Sequence, residues 1–430
     1  MAETPAGPAV LVIGAGAAGL MAALQASRSG AAVTVVERTA DGGRKILISG
    51  GGRCNVLPAV LDESRFVTDS SRHSLRRLLG SWPLADQRRF FEETLGAPLV
   101  LEPETGKLFP ASNRAREVRD RLVAAARDAG ARFRFGQAVT GLAPAAGGWT
   151  VRLGDGTSLA APRVIVATGG LSVPSTGSDG TGLRLLEELG HALVPPYPAL
   201  TPLVADPPVH AGLAGVSLPV AIRARWGREA AASCGGFLFT HRGYSGPAVL
   251  DVSHLAVRSR IGAGGTPKAR GRAGDGLGEA AVISVAWGGI GVAGWEERLQ
   301  PRGRESLAGV LRRDLPNRLA DRLLEEAGVA SDRQLAQFGR DERRALIGLL
   351  AEYRLPWTGD EGYRKAEVTG GGVRLGEVDP VTLESRRAPG LYLAGEVLDA
   401  FGPIGGFNFA WAWATGRAAG LGAAARSSAG

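Results

Sequence analysis

Cysteine and histidine are scarce in this chain, whose 430 residues include two cysteines and five histidines. Cys54 and Cys234 form no C-x-x-C arrangement, which excludes a disulfide scaffold, a dithiol redox pair in one loop and a cysteine-rich zinc site. The histidines form no metal-binding motif, and no serine-hydrolase elbow of the G-x-S-x-G type follows a strand. We therefore predict no metal site and expect a reducing, cytoplasmic setting.

Long apolar runs are also lacking. No segment offers about 18 uninterrupted apolar residues, the length that a membrane-spanning helix requires. The longest early apolar stretch, residues 8–26, lacks the basic segment that precedes a secretory signal, and its glycines recur at motif spacing. We therefore expect neither a membrane span nor a signal peptide here.

Lysine is rare although the chain is basic, with a net charge of +8 and only four lysines among its 50 basic residues. Together with 64 glycines, this favours compositional drift in the coding sequence. A basic surface that binds an anionic partner such as RNA is the alternative, and it stays open.

The first 37 residues follow the pattern of a dinucleotide-binding unit. An apolar run at residues 9–13 predicts a parallel strand that is buried on both faces, residues 20–29 predict a helix, and residues 32–36 predict a second buried strand. The turn between the first strand and the helix reads Gly14-Ala-Gly-Ala-Ala-Gly19, and Glu37 follows the second strand. A G-x-G-x-x-G turn in this full context indicates a dinucleotide site.

Each part of this turn has a physical role. Gly14 permits the tight turn, Gly16 lets the backbone approach a pyrophosphate, and Gly19 lets the helix pack close to the strand. The helix N-terminus offers N–H groups and positive potential to the phosphates, and Glu37 can accept hydrogen bonds from the ribose hydroxyls. This motif does not distinguish NAD from FAD. The contacts predicted here are Gly14, Gly16, Ala17, Ala18, Gly19 and Glu37.

Further distinctive blocks follow the turn in order. Residues 43–55 read G-R-K-I-L-I-S-G-G-G-R-C-N, and the other blocks are Phe109–Ser112, Val166–Gly180, Phe239–Pro247 and Gly390–Gly416. With residues 14–19 they cover nearly the whole chain, which resembles the YhiN-like (BaiN/RdsA) family of FAD-dependent oxidoreductases.

The resemblance implies an α/β protein. Its discontinuous Rossmann-type FAD-binding domain would contain an inserted β-barrel-like domain that carries a small helical subdomain. The predicted FAD-binding parts are residues 1–192 and 373–430, the barrel-like parts are residues 193–295 and 354–372, and the helical insert is residues 296–353.

The resemblance also implies bound FAD and reductase chemistry. We expect hydride transfer from NAD(P)H through flavin N5 to an unsaturated substrate, with a transiently docked donor because a second G-x-G-x-x-G is missing. The family has been linked to steroid-type substrates and to uridine in ribosomal RNA. The alternatives are therefore a flavin-dependent dihydrouridine synthase that acts on 23S ribosomal RNA and a flavin-binding redox sensor without turnover. The oligomeric state is not predicted.

The same blocks can be interpreted residue by residue. Residues 50–52 form a glycine loop suited to lie against a flat ring or phosphates. Arg44, Lys45 and Arg53 bring positive charge that would stabilise an anionic reduced flavin. Charge balance with the phosphates or a solvated surface role is the alternative. In FAD proteins of this class an acid in the position of Glu396 holds the ribityl chain. The other predicted cofactor contacts are Arg38, Gly43, Ser49, Gly50, Gly51, Gly52, Asn55, Val139, Thr168, Gly169, Gly170, Gly395, Asp399, Gly405, Gly406, Phe407 and Asn408.

Three residues are candidates for proton donation to the substrate. His241 and Tyr244 lie in a Thr-His-x-Gly-x-Ser-Gly-Pro turn between predicted strands. A turn held by local hydrogen bonds is the alternative for both residues. Cys54 is the third candidate, although a small buried thiol is the more common role.

The middle of the chain changes character. Residues 220–226, 236–240 and 281–287 predict strands, and residues 296–352 predict helices. Residues 258–278, rich in glycine and arginine, predict a mobile basic loop. A solvated loop is the default interpretation, and a contact with RNA is the alternative.

Overall fold

The computed structural model describes residues 9–264 and 280–425. The chain divides into two compact units. The first unit combines Met1–Tyr197 with Val368–Gly430, and the second unit is Pro198–Glu367. Both ends of the chain therefore build one unit, whereas the five-segment division expected from the sequence stays a prediction.

The strands of the described residues range from two to eleven residues in length. They are β1 (Val10–Ile13), β2 (Val33–Val36), β3 (Leu57–Pro58), β4 (Leu99–Glu102), β5 (Lys107–Pro110), β6 (Arg132–Arg134), β7 (Val139–Ala145), β8 (Gly148–Leu153), β9 (Ser158–Ala161), β10 (Arg163–Val166), β11 (Leu193–Ala199), β12 (Leu203–Val204), β13 (Ser217–Trp226), β14 (Glu229–Phe239), β15 (Gly243–Ser245), β16 (Val282–Trp287), β17 (Tyr353–Arg354), β18 (Gly359–Asp360), β19 (Val368–Val373) and β20 (Leu391–Leu393).

The helices of the same residues range from one turn to five turns. They are α1 (Ala17–Arg28), α2 (Arg44–Ile48), α3 (Arg72–Gly80), α4 (Leu84–Arg89), α5 (Ala115–Asp128), α6 (Thr181–Glu188), α7 (Pro247–Gly264), α8 (Val292–Arg298), α9 (Leu307–Leu311), α10 (Asn317–Glu326), α11 (Arg340–Ala351) and α12 (Phe407–Ala425). No described helix is both long and apolar enough to cross a membrane.

A five-stranded parallel sheet forms the centre of the first unit, with the strand order β20-β10-β1-β2-β6. Strand β1 pairs in parallel with β10 on one side and with β2 on the other. All four residues of β1 are buried, as expected for a central strand covered on both faces. The Rossmann-type α/β fold predicted from the sequence is thereby confirmed.

Helices α1 and α12 cover this sheet in close contact. A Cβ atom on Gly416 would collide with the backbone oxygen of Ala18, and one on Gly420 with that of Ala22. Glycine at these two positions lets the helix backbones approach each other. The C-terminal helix is therefore fixed against the helix of the glycine-rich turn.

The second unit is built on a seven-stranded sheet with the order β17-β16-β13-β14-β15-β12-β18. Neighbouring strands pair antiparallel, and β13 and β14 form a long hairpin. The strands predicted at residues 220–226, 236–240 and 281–287 and the helices predicted at residues 296–352 are present. A buried core with Trp287 and Trp295 joins the sheet to these helices.

The prediction of a loop at residues 258–278 was wrong at its beginning. Helix α7 continues to Gly264 because its apolar residues, including Val252 and Leu255, lie in the core of the second unit. On this helix Arg258 forms an ion pair with Glu229 at 2.9 Å. Residues 265–278 of the predicted loop, with Lys268, Arg270 and Arg272, lie outside the described residues.

The packing of α12 against α1 can be tested by substituting Gly420→Ala. The added methyl group meets the backbone of Ala22, so we expect a loss of about 1–3 kcal/mol in the free energy of unfolding. Gly348→Ala in α11 is the control, because its Cβ meets nothing within 4 Å. The control should gain about 0.5–1 kcal/mol from helix propensity. Urea unfolding measures both changes, and a Gly420→Ala variant as stable as the wild type would contradict the packing.

Candidate dinucleotide-binding site

The glycine-rich turn lies at the carboxyl end of β1, where open α/β sheets bind ligands. A Cβ on Gly14 would lie 2.5 Å from the oxygen of Ala167, and a Cβ on Gly19 would collide with the oxygen of Gly14. A Cβ on Gly16 would meet nothing within 4 Å. Gly16 therefore borders open space at the N-terminus of α1, which no side chain caps. This is the space that a pyrophosphate requires, so the residues present fit a dinucleotide.

Glu37 is held beside this turn by three hydrogen bonds. Its Oε2 accepts from Ala15 N at 2.7 Å, and its Oε1 accepts from Thr39 N and Thr39 Oγ1, each at 2.7 Å. A carboxylate can accept about four hydrogen bonds. Room for about one bond therefore remains, which leaves Glu37 able to accept from a ribose hydroxyl.

Lys45 and Glu396 form an ion pair between α2 and the segment after β20. The Nζ atom of Lys45 lies 2.9 Å from Glu396 Oε2 and 2.7 Å from Ser172 Oγ. The Ser172 hydroxyl donates to Glu396 Oε1 at 2.8 Å, and Thr369 N donates to the same oxygen at 2.9 Å. Four segments that are distant in the sequence thus meet at one carboxylate.

The environment of Glu396 keeps this carboxylate ionised. Burial raises the pKa of Glu396, but the charge of Lys45 and the hydrogen bonds from Lys45, Ser172 and Thr369 outweigh it and hold that pKa below its usual value. The cluster is therefore a charged pair at neutral pH.

Ser172 and Thr369 were missed by the sequence reasoning. Thr369 Oγ1 also accepts hydrogen bonds from Leu171 N at 2.7 Å and Ser172 N at 3.1 Å. A Cβ on Gly170 would collide with Thr369, so that glycine is needed for this contact. The sequence feature that could have indicated Thr369 was the Thr369-Gly-Gly-Gly run at the end of the chain's middle section.

The glycine loop after α2 takes the left-handed backbone conformation. Gly50, Gly51 and Gly52 have φ angles of +56°, +66° and +86°. A Cβ on Gly51 would meet nothing within 4 Å, so this residue borders open space. Cys54 follows with a φ of +62° and is fully buried. Burial raises the pKa of Cys54 to about 12, although a hydrogen bond with Ser49 opposes the shift, and so weak an acid is a poor proton donor.

Arg44 and Arg53 have partners within the protein. Arg44 pairs with Asp41 at 2.8 Å, and both side chains are exposed to solvent. Arg53 pairs with Glu102 at 3.1 Å and lies over the Phe109 ring at 4.0 Å from its centroid. Both arginines thus have partners on the protein, and their role toward the cofactor stays a prediction.

Several predicted cofactor contacts bind other parts of the chain. Asn408 closes a pair of 2.9 Å hydrogen bonds with the backbone N and O of Gly402. Asn55 accepts from Gly406 N at 3.1 Å in the amide orientation that satisfies both ends of its side chain. Asp399 is buried and accepts from Ser70 Oγ at 2.7 Å. These side chains hold the backbone near the sheet edge, and their role toward the cofactor stays a prediction.

The remaining predicted contacts also lie in the first unit. Arg38 forms an ion pair with Asp179. Gly395 donates to Thr415 Oγ1 at 3.0 Å and accepts from Trp411 Nε1 at 3.1 Å. The other predicted contacts that lie in the first unit are Ala17, Ala18, Gly43, Ser49, Val139, Thr168, Gly169, Gly405 and Phe407.

His241 lies in the turn between β14 and β15 of the second unit, and Tyr244 lies in β15 itself. His241 is exposed at the tip, where Thr240 Oγ1 accepts from Gly243 N at 3.0 Å. Tyr244 is fully buried in β15. The structure therefore leaves His241 accessible and Tyr244 enclosed.

Tyr244 belongs to a buried network that the sequence did not reveal. His210 Nδ1 lies 2.8 Å from the Tyr244 hydroxyl, and His210 Nε2 lies 3.3 Å from Glu326 Oε1 and 3.0 Å from the Tyr353 hydroxyl. These distances allow Nδ1 to accept a hydrogen bond from the Tyr244 hydroxyl and Nε2 to donate one to Glu326. Burial raises the pKa of Tyr244, so the phenol stays protonated.

The fold and the sheet edge define a FAD-dependent oxidoreductase with a Rossmann-type FAD-binding domain. The chain belongs to the HI0933-like family, because the family model described as "HI0933-like protein Rossmann domain" matches residues 8–422. Among residues 9–264 and 280–425, no group of three or more His, Cys, Asp or Glu side chains is placed to hold a metal ion.

Two curated relatives are similar over nearly their full length. A ribosomal RNA dihydrouridine synthase of Escherichia coli is 32% identical over 94% of this chain and 95% of the relative. A 3-dehydro-bile acid delta(4,6)-reductase of Clostridium scindens is 34% identical over 96% of this chain and 98% of the relative. Among solved structures, the open form of a flavocytochrome c3 fumarate reductase aligns with a TM-score of 0.50 at 18% identity. The alignment covers 99% of this chain and 79% of the fumarate reductase chain, and at this identity it shows a likeness of fold alone.

The open space at Gly16 allows the binding site to be separated from the fold. In Gly16→Ala the methyl group has room in the unliganded protein but would occupy the place of a pyrophosphate. We expect an unchanged melting temperature without cofactor and an affinity for FAD at least tenfold weaker. Gly19→Ala is the comparison variant and should destabilise the protein itself, because its methyl group collides with Gly14. Calorimetric titration with FAD and thermal unfolding measure these effects, and wild-type affinity in Gly16→Ala would contradict the site.

The Glu326 network predicts a pH dependence of stability. Burial raises the pKa of Glu326, but hydrogen bonds from His210, Arg322 and Tyr353 outweigh this effect. Together they lower the pKa to about 2 from an ordinary 4.5. Its contribution to stability is present above pH 4.5 and is lost as the pH falls towards 2.

Comparison of the wild type with Glu326→Gln isolates this contribution. Between pH 5 and pH 2, we expect the wild type to lose roughly 1–3 kcal/mol more free energy of unfolding than the variant. Urea unfolding across this range measures the difference. Parallel stability curves for the two proteins would show that the network does not act on Glu326 in this way.

Proposed function

We propose that this protein is a reductase that transfers hydride from NAD(P)H, through its FAD, to a carbon–carbon double bond of an organic substrate. The observation that carries the proposal is the carboxyl edge of the parallel sheet. There the open space at Gly16, the fixed Glu37 and the Lys45–Glu396 pair lie along neighbouring strands. Such an edge suits an extended dinucleotide.

The curated relatives support reduction as the direction of the reaction. One relative is named as a bile acid delta(4,6)-reductase and the other as a dihydrouridine synthase. Dihydrouridine differs from uridine by two hydrogen atoms added across one ring double bond. Both names therefore describe hydrogen added to a carbon–carbon double bond, which is the chemistry proposed for this chain.

The residues of the first unit would bind and orient the cofactor. The N–H groups at the start of α1 would hold the pyrophosphate, and the remaining acceptor site of Glu37 would bind the adenosine ribose. The Lys45–Glu396 pair would lie on the flavin side. When bound, FAD supplies the two-electron chemistry that links a nicotinamide donor to the substrate.

His241 is the preferred proton donor among the three candidates. Its imidazole is exposed, and imidazoles both give and take protons near neutral pH. Tyr244 is enclosed and already bonded to His210, and Cys54 is buried with a raised pKa. A cavity of about 870 Å³ lies next to the His241 turn within the second unit, with Arg242 in its lining.

Ribosomal RNA is the second candidate substrate, and its support is the dihydrouridine synthase relatives of Escherichia coli and Haemophilus influenzae. The cavity beside the His241 turn does not itself select an anion. Arg242 and Arg260 line it together with Asp206 and Asp360, so its charges balance. A cytoplasmic location and a transiently docked nicotinamide donor are part of the same proposal.

Stopped-flow kinetics under anaerobic conditions test the reductase proposal. NADH or NADPH should bleach the flavin, and an unsaturated substrate should restore its colour. His241→Gln should leave the bleaching unchanged and slow the recovery by about 10²–10⁴-fold, the contribution of a general acid. His73→Gln is the control, because His73 is an exposed histidine of α3.

The substrate panel should include a steroid with conjugated double bonds and unmodified ribosomal RNA. Dihydrouridine formed in the RNA would favour the second candidate. Reoxidation by oxygen alone would contradict the reductase, and a flavin that no nicotinamide reduces would favour the redox-sensing alternative.

A further inference from the structure

The strand order divides the carboxyl edge of the parallel sheet into two halves. A dinucleotide on the turn after β1 extends over the strands on both sides of β1. Glu37 follows β2 and marks the adenosine side. Strands β10 and β20 lie on the opposite side of β1, so their ends border the flavin half of the site.

The Lys45–Glu396 pair, in which Lys45 comes from α2, lies beside the segments that follow these two strands. Ser172 is six residues beyond the last residue of β10, and Glu396 is three residues beyond the last residue of β20. The side chains of Lys45 and Glu396 are 27% and 18% exposed, so solvent screens the pair only in part. The ammonium group uses two donors on Glu396 and Ser172, and a third donor remains.

We propose that Lys45 and Glu396 act together as a compensated charge pair that sets the reduction potential of the flavin. Two-electron reduction places negative charge on a flavin, and a nearby positive charge favours that form. Glu396 cancels most of the Lys45 charge and so keeps the potential from rising. The inference rests on FAD occupying the carboxyl edge of the sheet, as the proposed function requires.

The two partners should therefore act in opposite directions. Glu396→Gln keeps the hydrogen-bonding shape but leaves the Lys45 charge uncompensated, which favours the reduced flavin. Lys45→Met leaves the Glu396 carboxylate without its cation, which favours the oxidised flavin. If the pair only held the structure together, loss of either partner would weaken FAD binding. It would not shift the reduction potential in opposite directions.

Reduction potentials of the FAD-loaded variants, measured by anaerobic titration against reference dyes, test the proposal. We expect Glu396→Gln to raise the potential and Lys45→Met to lower it. Each change should alter the equilibrium constant for reduction at least tenfold, about 30 mV for a two-electron couple. The reduction potential of the double variant should lie between those of the two single variants. Arg184→Met is the control, because its pair with Glu188 is exposed on α6.

Lys45→Arg provides a second test if Lys45→Met folds poorly. It keeps the positive charge, so its potential should stay close to that of the wild type. Shifts of the same sign in Glu396→Gln and Lys45→Met, or unchanged potentials in yellow protein, would overturn the proposal and leave the flavoenzyme assignment intact. Loss of FAD binding by the wild type would instead overturn the proposed function.

Discussion

The close approach of helices α12 and α1 is the contact on which the first unit depends. Glycines at positions 416 and 420 bring the C-terminal helix onto the backbone of α1, and β20 extends the sheet beside β10. The end of the chain thus completes the sheet that its beginning starts. In this arrangement Glu396 reaches Lys45, from which it is separated by 351 positions.

Two kinds of residue have different roles at the sheet edge. Asn55, Asp399 and Asn408 form hydrogen bonds to backbone groups of the protein, and Asp399 also accepts one from the Ser70 hydroxyl. These bonds fix the loops around the edge. Gly16 and Gly51 instead border open space. Fixed loops beside open space are what preorganised binding of an extended cofactor requires.

The sequence predicted the features that arise from local patterns. The apolar run before Gly14 and the acid at Glu37 marked strands and a turn, because buried parallel strands and the G-x-G-x-x-G turn leave continuous patterns. These patterns predicted a dinucleotide-binding unit, and the resemblance to the YhiN-like family implied the Rossmann-type FAD-binding domain. The start of α1 was predicted three residues late, since small residues at 17–19 resemble a loop as much as a helix.

Contacts between distant residues could not be predicted in this way. The Ser172 hydroxyl and the backbone N of Thr369 both donate to Glu396, and no periodicity links these positions. His210 was overlooked for the same reason, since its partners lie 34 and 116 positions away. The prediction of a loop from Arg258 was wrong at its beginning, because it relied on the glycine- and arginine-rich composition. The apolar residues that continue α7 were given too little weight.

The central claim is that both ends of this chain enclose one FAD molecule, and an equilibrium titration of the cofactor-free protein tests it most directly. FAD should bind one equivalent per chain, and riboflavin should bind far more weakly because it has no pyrophosphate for the N-terminus of α1. Equal affinity for the two compounds, or no uptake of FAD by folded protein, would contradict the claim.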